Sequence, residues 1–384
     1  MNKRTIGIDN PVARAVLFVL LGLSVPTFGQ QPLKLLIGTY TNTGKSEGIY
    51  VCDFDSETGT ATITDSAAAD NPSFLTVNPN TKFVYAVNEN GDGLGAVSAF
   101  AFDRKTGRLS FLNRELTQGD HPCHVVTDPA GQYLIVSNYS GGSVSVFPLL
   151  SDGRIGSIKQ LIRHTGNGPD KSRQEAPHVH SAFFTPDGRT VYVQDLGTDK
   201  VHCYAFRSDV GDGPLVPRSP AAVLSSPGGG PRHLAQSENG QFIYLVQEMT
   251  AKVMVYAVHN EIPEAIQEVD MNDEGFSGSN GAADIKRSPD GRFLYASNRG
   301  DANAVTIYRI NPDDGTLVRI GSQEVLGKGP RNIALSPDGR FLLVANQYTD
   351  EVVVFARNVE TGLLNDTGHR IAVGAPVCLV FTGN

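Results

Sequence analysis

One short turn-forming phrase recurs along the chain and limits what it can fold into. Pro-Asp-Gly-Arg begins at Pro186, Pro289 and Pro337. Looser copies begin at positions 79, 129 and 237, so that the copies follow one another at intervals of 48 to 57 residues. Proline sets φ for a turn, aspartate bonds to nearby backbone amides, and glycine accepts a positive φ. Each copy therefore predicts a tight hairpin turn between two strands.

The residues around the last copy show what one repeat contains. Apolar runs at 331–335 and 341–346 flank the turn, a third run follows at 351–355, and a weaker one lies near 370–373. None of these runs has the periodicity of a helix. Four short strands in a repeat of roughly 50 residues are typical of one blade of a β-propeller.

The two ends of the chain together supply one more blade. Six repeats hold four strands each, whereas the runs at 35–40, 49–52 and 61–63 look like the second to fourth strands of a blade that lacks its first. The run at 376–381 supplies that first strand. We therefore predict an all-β, seven-bladed β-propeller with four antiparallel strands per blade, its ring closed by N- and C-terminal strands in one shared blade.

The four cysteines and the N-terminus bear on the compartment. Cys52 and Cys378 lie in the shared blade on strands separated by a third strand, so we expect no disulfide between them. For all four cysteines we predict buried thiols in preference to disulfides.

Basic residues precede an apolar stretch at 15–25 and small residues at 27 and 29. This layout predicts a signal peptide at 1–29, with an uncleaved anchor as the alternative. Residues 30–384 would form a single propeller domain.

These features predict a protein exported to a periplasm or secreted, without stable membrane insertion. The formal net charge is −8 and no long basic run occurs, which disfavours nucleic acid as a partner. We expect a monomer that acts on a small molecule.

Polar side chains recur on one face of the predicted propeller. The start of each first strand and the end of each second strand share a face, because the two strands are antiparallel. Convergence of these groups on a central depression predicts a ligand site there, although Asn138, Asn298 and Asn346 suit strand-end turns equally well. The groups at the first-strand starts are His121, His124, His178, His180, Arg232, His233, Arg331 and Asn332, and those at the second-strand ends are Glu89, Asn138, Asp195, Glu248, Asn298, Arg299, Asn346 and Gln347.

Two glycine-rich segments lie near this face. The segment 164–177 is long and charged, which is typical either of a lid or specificity loop or of a solvated loop. It ends before His178 and His180, which share one strand face by their spacing. No third ligand follows at local spacing, so we predict no metal and no cofactor. The run 228–231 reads as a flexible segment that leads into the next blade, since no helix or lysine follows it.

Several stretches together resemble a known family. The chain is similar, over about residues 33–383, to the lactonase family of seven-bladed propellers, typified by the propeller type of 6-phosphogluconolactonase and related to fungal carboxy-muconate cyclase. The stretches that carry the resemblance are Ile37-Gly38-Thr39-Tyr40-Thr41, Gly48-Ile49-Tyr50, Asn71-Pro72-Ser73-Phe74-Leu75, Tyr85-Ala86-Val87-Asn88-Glu89, Asn138-Tyr139-Ser140-Gly141-Gly142-Ser143-Val144, Pro177-His178-Val179-His180-Ser181, Asp195-Leu196-Gly197-Thr198-Asp199, Gly230-Pro231-Arg232-His233, Ser297-Asn298-Arg299 and Gly329-Pro330-Arg331-Asn332.

The resemblance implies an active site of one histidine, two arginines and one glutamate. By motif, the histidine is His178 or His180, the arginines are Arg232 and Arg299, and the glutamate is Glu248. The other residues expected to contact substrate on this face are Glu89, His121, His124, Asp195, His233, Arg331, Asn332 and Gln347.

The implied activity is that of a carboxylic ester hydrolase in carbohydrate metabolism, which opens a sugar lactone to the acid. Glu248 or His180 would be the general base, and Arg232 and Arg299 would stabilise the oxyanion. Export makes an unphosphorylated aldonolactone an alternative to 6-phosphogluconolactone. We expect Glu248→Gln to lower turnover strongly with little loss of stability. The alternatives to a lactonase are a non-enzymatic carbohydrate- or protein-binding propeller and a muconate or lactone cycloisomerase.

Overall fold

The computed structural model describes residues 33–210 and 213–383, together with Met1, Asn2 and Gly7. The predicted signal peptide at 1–29 therefore lies, apart from those three residues, outside the described part of the chain. The described strands begin with β1 (Leu33–Thr39), β2 (Gly48–Phe54), β3 (Ala61–Ala68), β4 (Leu75–Val77), β5 (Phe83–Asn88), β6 (Ala96–Asp103), β7 (Arg108–Leu116), β8 (Pro122–Thr127), β9 (Tyr133–Asn138), β10 (Ser143–Pro148), β11 (Gln160–Arg163), β12 (Val179–Phe184), β13 (Thr190–Asp195) and β14 (Lys200–Phe206). They continue with β15 (Leu215–Leu224), β16 (Pro231–Gln236), β17 (Phe242–Gln247), β18 (Lys252–His259), β19 (Ile262–Asp270), β20 (Ala282–Arg287), β21 (Phe293–Asn298), β22 (Ala304–Ile310), β23 (Leu317–Glu324), β24 (Pro330–Leu335), β25 (Phe341–Asn346), β26 (Glu351–Arg357), β27 (Leu364–Ala372) and β28 (Pro376–Phe381).

These strands form seven four-stranded antiparallel sheets, which confirms the predicted propeller. Blade 1 has the order β28-β1-β2-β3, and blades 2 to 7 each take four consecutive strands from β4 to β27. The first strands of neighbouring blades contact one another around a closed ring, including β24 with β28 and β28 with β4. The chain ends therefore share blade 1, as predicted.

The four cysteines, all in the described residues, are free and buried, as expected. Cys52 on β2 and Cys378 on β28 are separated by β1. In the described residues no helix is long and apolar enough to cross a membrane.

The recurring phrase forms the predicted turn between the first and second strands of a blade. In blade 7, Asp338 accepts hydrogen bonds from the backbone amide of Arg340 at 3.1 Å and from the hydroxyl of Ser336 at 2.6 Å. Gly339 has φ of +70°, a conformation that favours glycine. A turn at this place in blades 2 to 7 keeps the first two strands of each blade in register, so the starts of their first strands reach the same face.

Burial falls from the inner strands of a blade to its outer strand. Every residue of β1 is buried, whereas most residues of the outer strand β3 are exposed or half-buried. Aromatic side chains fill the space between blades, as where Phe293 of blade 6 packs in one cluster with Phe355 of blade 7. Tight packing between blades gives a rigid frame for side chains at the propeller axis.

Candidate active site

The start of most first strands carries a β-bulge, which turns one extra residue toward the axis. The pairing register shifts at this point in blades 3, 4, 5 and 7. Bulges commonly re-aim a side chain next to an active site. The extra residues in these four blades are Cys123, His180, Arg232 and Arg331, and all four line the same cavity.

A repeated local sequence prepares several of these bulges. Gly230 has φ of +69° and Gly329 has φ of +74°, and each is followed by a proline and then an arginine. A positive φ turns the chain sharply, glycine adopts it without strain, and the proline fixes the backbone at the first residue of the strand. The Gly-Pro-Arg motif therefore places Arg232 and Arg331 at equivalent positions in blades 5 and 7.

The cavity at the axis, here called the axial cavity, has a volume of about 260 Å³ in its outer part. The walls of this outer part come from six blades and one long loop, so no single blade makes the site. The outer part is lined by Glu89, Cys123, Tyr139, Arg173, His180, Glu248, Arg299 and Arg331. A narrower, deeper part shares four of these residues and adds Ser73, Phe74, Arg232, His233, Asn332 and Val377.

Glu248 is the centre of a cluster of ion pairs. Its carboxylate oxygens lie 2.9 Å from Nε of Arg232, 3.1 Å from Nη2 of Arg299 and 2.7 Å from Nη2 of Arg173. Burial alone would raise the pKa of Glu248, but the three guanidinium groups outweigh it and hold the pKa well below its usual range. Glu248 is therefore a firmly ionised anchor for arginines and a weak base.

The two predicted arginines are also held by backbone carbonyls. Arg232 donates to the carbonyl of Ala283, and Nε of Arg299 donates to the carbonyl of Gly281 at 2.7 Å. Burial, followed by the nearby charge of Arg299, lowers the pKa of Arg232 to about 10, which leaves it charged at neutral pH. Both arginines are thus fixed before a substrate binds, which is the condition for electrostatic stabilisation of a transition state.

A second group of polar contacts lies on the other blades of the cavity. The hydroxyl of Tyr40 donates to Glu89 at 2.8 Å and accepts from Nη2 of Arg331 at 2.7 Å. Ser73 also donates to Glu89. Glu89 therefore resembles Glu248 in being held by donors from several elements.

His180 differs from the charged groups around it. Burial, and next the charge of Arg232, lower the pKa of His180 well below its usual value, so the imidazole is neutral at neutral pH. The neighbouring thiol of Cys123 donates to the backbone carbonyl of His180 at 3.1 Å, and burial raises the pKa of that thiol. Cys123 is thus a neutral thiol, whereas His180 offers a neutral imidazole that can accept a proton.

The deeper part of the cavity rests on a buried carboxylate that sequence reasoning missed. Asp284 accepts from Nδ1 of His233 at 2.9 Å and from Nδ2 of Asn332 at 2.6 Å. Lys286 adds an ion pair at 2.8 Å. Burial, followed by the charge of Arg232, lowers the pKa of His233 to about 4, so this ring is also neutral. Asp284 thereby fixes both His233 and Asn332 at the cavity floor.

The long loop at 164–177 reaches the cavity through Arg173. The neighbouring Gln174 is fully buried and donates to Asp199 at 2.7 Å and to the carbonyl of Leu196 at 2.8 Å. Asp199 also accepts from the amides of Gly228 and Gly230, so the glycine run is held in place and is not the flexible segment we expected. This network anchors the loop and sets Arg173 beside Glu248.

The structure places the predicted residues in three settings. Those lining the axial cavity are Glu248, His180, Arg232, Arg299, Glu89, His233, Arg331 and Asn332. His124 lies one layer away, its ring 4.3 Å from that of Phe74 and 5.5 Å from that of His233. His178 precedes β12 and stacks on Tyr139 at 4.6 Å, because the bulge at His180 breaks the alternation that spacing alone implies.

Three further predicted residues have other contacts. His121 is exposed and takes a positive φ of +50° before Pro122, so its backbone shapes the start of β8. Gln347 is half-buried after β25, where its backbone amide donates to the carbonyl of Gly329 at 3.0 Å. Asp195 is fully buried in blade 4 against His164. None of these three residues is among those that line the axial cavity, so they stand apart from the substrate-contacting set that we expected.

Sequence reasoning missed three residues that line the outer part of the cavity. Cys123 was hidden because a bulge cannot be read from a strand pattern. Tyr139 directly follows the strand-end residue Asn138 and lay within a motif already quoted. Arg173 lay in the loop whose charge and glycine content had suggested a role at the site.

The charges of the cavity indicate the ligand it suits. Four guanidinium groups, from Arg173, Arg232, Arg299 and Arg331, face two carboxylates, from Glu89 and Glu248. With His180 and His233 neutral, two positive charges remain in excess. Such a cavity favours an anion, or a neutral molecule that develops negative charge during reaction.

Comparison with known proteins agrees with this geometry. The model of the family described as lactonase, 7-bladed beta-propeller, matches residues 34–381. A 6-phosphogluconolactonase of Formosa agariphila is 35% identical over 352 residues, which is 91% of this chain and 99% of that protein. One from Bacillus subtilis is 35% identical over 90% of this chain and 97% of its own length.

A solved structure extends the comparison. The periplasmic gluconolactonase of Pseudomonas aeruginosa superimposes with a TM-score of 0.88 and 39% identity, covering 91% of this chain and 99% of that one. With the family model matching nearly the whole propeller, the chain belongs to the lactonase family of seven-bladed β-propellers.

Proposed function

We propose that this protein hydrolyses the cyclic ester of a sugar lactone in the axial cavity and releases the open-chain acid. The observation that carries the proposal is a neutral, buried imidazole, His180, beside fixed arginines that leave an excess of positive charge. A lactone carbonyl becomes an oxyanion when water attacks it, and that charge is what such arginines stabilise. Relatives named as lactonases on both sequence and structural comparison support the same reaction.

The residues take the following roles in the proposal. His180 accepts a proton from the attacking water as general base, which leaves an imidazolium and a tetrahedral oxyanion. The negative charge that forms beside His180 favours its protonation, and this offsets its low pKa in the free protein. As the oxyanion collapses, the bond from the carbonyl carbon to the ring oxygen breaks, and the imidazolium returns its proton to the departing alkoxide.

The arginines act on charge and orientation. Arg232 and Arg299 are held by Glu248 and by backbone carbonyls, so they face the carbonyl oxygen without reorganisation. Each would contribute about 2–4 kcal/mol to the transition state if it acts like an oxyanion-hole donor. Arg331 and Arg173 supply the remaining positive charge for a substrate hydroxyl, carboxylate or phosphate.

The size of the cavity favours a substrate with one sugar ring. Its outer part, about 260 Å³, is just below the roughly 300–1,000 Å³ of sites for larger drug-like ligands. We also propose that residues 1–29 direct export and that the exported chain acts as a monomer. Phosphorylated sugars are scarce outside the inner membrane, so export favours an unphosphorylated aldonolactone. A solved relative named as periplasmic supports that location.

The test is acid release from gluconolactone and from 6-phosphogluconolactone by the purified protein. We expect turnover above the spontaneous rate on at least one lactone, loss of that turnover in His180→Gln, and its retention in His178→Gln. The ratio of the two rates measures what the substrate phosphate contributes. Spontaneous rates on both lactones, or full activity in His180→Gln, would refute the proposal.

A further inference from the structure

A second group of titratable side chains lies in blade 4, away from the lining of the axial cavity. His164 follows β11, Asp195 ends β13, and His202 lies on β14. Asp195 pairs with Lys200 across the two strands, so His202, two residues further along, projects from the same face as a diagonal neighbour. We call His164, Asp195 and His202 the blade-4 cluster.

The three side chains converge closely. Nδ1 of His164 lies 2.9 Å from Oδ2 of Asp195, and Nε2 of His202 lies 3.8 Å from the same oxygen. One ligand atom from each residue lies within 4.8 Å of the other two. The side chains of His164 and Asp195 are 2% and 0% exposed, and that of His202 is 15% exposed, which leaves a route from solvent on one side.

The polar atoms of the cluster are not all satisfied within the described residues. Nε2 of His202 is buried without a hydrogen-bond partner, because 3.8 Å is too long for one. A buried polar atom left unpaired is unfavourable and calls for a partner such as a water or an ion. The other carboxylate oxygen of Asp195 is already engaged, since Oδ1 accepts from the amides of His178 and Gly197. Oδ2 is thus the oxygen that faces both imidazoles.

We propose that the blade-4 cluster binds one divalent transition-metal ion of the zinc type through Nδ1 of His164, Oδ2 of Asp195 and Nε2 of His202. Imidazole nitrogen and carboxylate oxygen are ligands that Zn²⁺ and its neighbours favour. Tetrahedral ligands at the usual bond lengths lie about 3.3 Å apart. The two measured separations, 2.9 and 3.8 Å, lie on either side of that value. The rings of His164 and His202 stack with their centroids 3.8 Å apart, so the half-buried His202 would turn out of this stack to direct Nε2 at the ion.

The surroundings of the cluster suit this role. Nε2 of His164 lies 3.1 Å from the hydroxyl of Tyr204, so it can donate to that oxygen and leave Nδ1 free to bind the ion. A hydrogen bond on the far nitrogen of a metal-bound histidine orients the ring. A water completes the tetrahedron on the side where His202 is exposed.

The cluster also connects to the axial cavity through the backbone. The carboxylate that would bind the ion accepts a hydrogen bond from the amide of His178 at 2.8 Å, one residue before β12, which carries His180. An ion at the cluster would therefore brace the start of β12. The ion would lie outside the axial cavity, and the proposed hydrolysis does not use it.

The test is a titration of the purified, chelator-treated protein, without a polyhistidine tag, with Co²⁺ followed by visible absorption and with Zn²⁺ followed by calorimetry. We expect one equivalent of each ion to bind, with the intense absorption of four-coordinate Co²⁺ and a rise in the melting temperature. His202→Gln should weaken binding at least 100-fold. Exposed His259→Gln and cavity-lining His180→Gln should bind as the unchanged protein does.

Three results would overturn the proposal. The first is that the unchanged protein binds no ion stoichiometrically, and the second is that His202→Gln binds the ion as tightly as the unchanged protein. The third is loss of binding in His180→Gln, which would show that the ion binds in the axial cavity. If His202→Gln fails to fold, His164→Gln replaces it, and the titration of the unchanged protein remains decisive alone. Lactone turnover is measured separately, so failure of the metal site leaves the proposed hydrolysis standing.

Discussion

Glu248→Gln is the substitution for which the structure changes our expectation most. The sequence alone led us to expect a loss of turnover with little loss of stability. The carboxylate, however, forms ion pairs with three arginines, of which Arg232 is 2% exposed. An amide at this position leaves that buried guanidinium without its counter-charge.

The magnitude follows from the burial of each pair. Breaking a buried pair by removing one partner costs about 3–5 kcal/mol, and the pair with Arg232 belongs to this class. The side chain of Arg173 is 44% exposed, so its pair adds less than about 1 kcal/mol. We expect Glu248→Gln to lower the free energy of unfolding by about 3–5 kcal/mol, which for a domain of this size corresponds to a fall of roughly 4–7 °C in melting temperature.

The assay is urea unfolding as a function of pH, with exposed Glu274→Gln as the matched control. Because the pKa of Glu248 is lowered in the folded protein, its contribution is fully present above the unfolded value of about 4.3 and is lost as the pH falls below it. The difference between the unchanged protein and Glu248→Gln should therefore be constant from pH 6 to 8 and shrink below about pH 4. A variant as stable as the control at pH 7 would refute the reasoning.

Three further predictions concern single side chains. His180→Gln should lower kcat by about 100- to 10,000-fold with little change in melting temperature. Because the pKa of His180 is lowered, kcat/KM of the unchanged protein should stay level between about pH 6 and 8. A rise in kcat/KM centred near pH 6.5 would contradict a neutral imidazole at His180. Arg173→Ala should raise KM about tenfold, equivalent to about 1.4 kcal/mol, with a smaller change in kcat, while exposed Arg207→Ala should leave both unchanged. Asp284→Asn should cost about 3 kcal/mol in urea unfolding, because Lys286 and His233 lose a buried partner, and an unchanged midpoint would show that the carboxylate is not needed at the cavity floor.

The fold followed from the sequence because the repeat carries its own geometry. A turn phrase lies between the first two strands of blades 2 to 7, so it fixes the register of those strands. The split blade was predictable for the same reason, since β28 supplies the first strand that β1 to β3 lack. Strand direction alone then predicts that Arg232, Glu248 and Arg299 lie on one face of the propeller.

The orientation of individual side chains at that face could not be predicted from the sequence. Alternation along a strand assigns His178 and His180 the same direction, but a bulge adds a residue that alternation cannot count. The positive φ of His121 likewise makes this residue part of the turn that precedes β8, which a strand pattern does not predict. Polar residues at strand ends thus predict which face of the propeller holds the site. The bulges at the starts of the first strands determine which of these side chains point to the axis.

The partners of the charged groups were equally beyond sequence reasoning. Asp195 and Glu248 both lie at the ends of second strands. Asp195 is enclosed by a histidine of the previous blade, whereas Glu248 is surrounded by three arginines. Arg173 is 75 residues from Glu248 in the chain, and its approach depends on the anchoring of Gln174. Such pairs arise from packing between blades and leave no mark at local spacing.

The most direct test of the account is hydrolysis of gluconolactone by the purified protein in water labelled with ¹⁸O. The account predicts acid release well above the spontaneous rate, with one label in the carboxylate of the product, because water attacks the carbonyl carbon and the ring oxygen leaves. Acid release no faster than without protein, or a label on the hydroxyl of the former ring carbon, would contradict it.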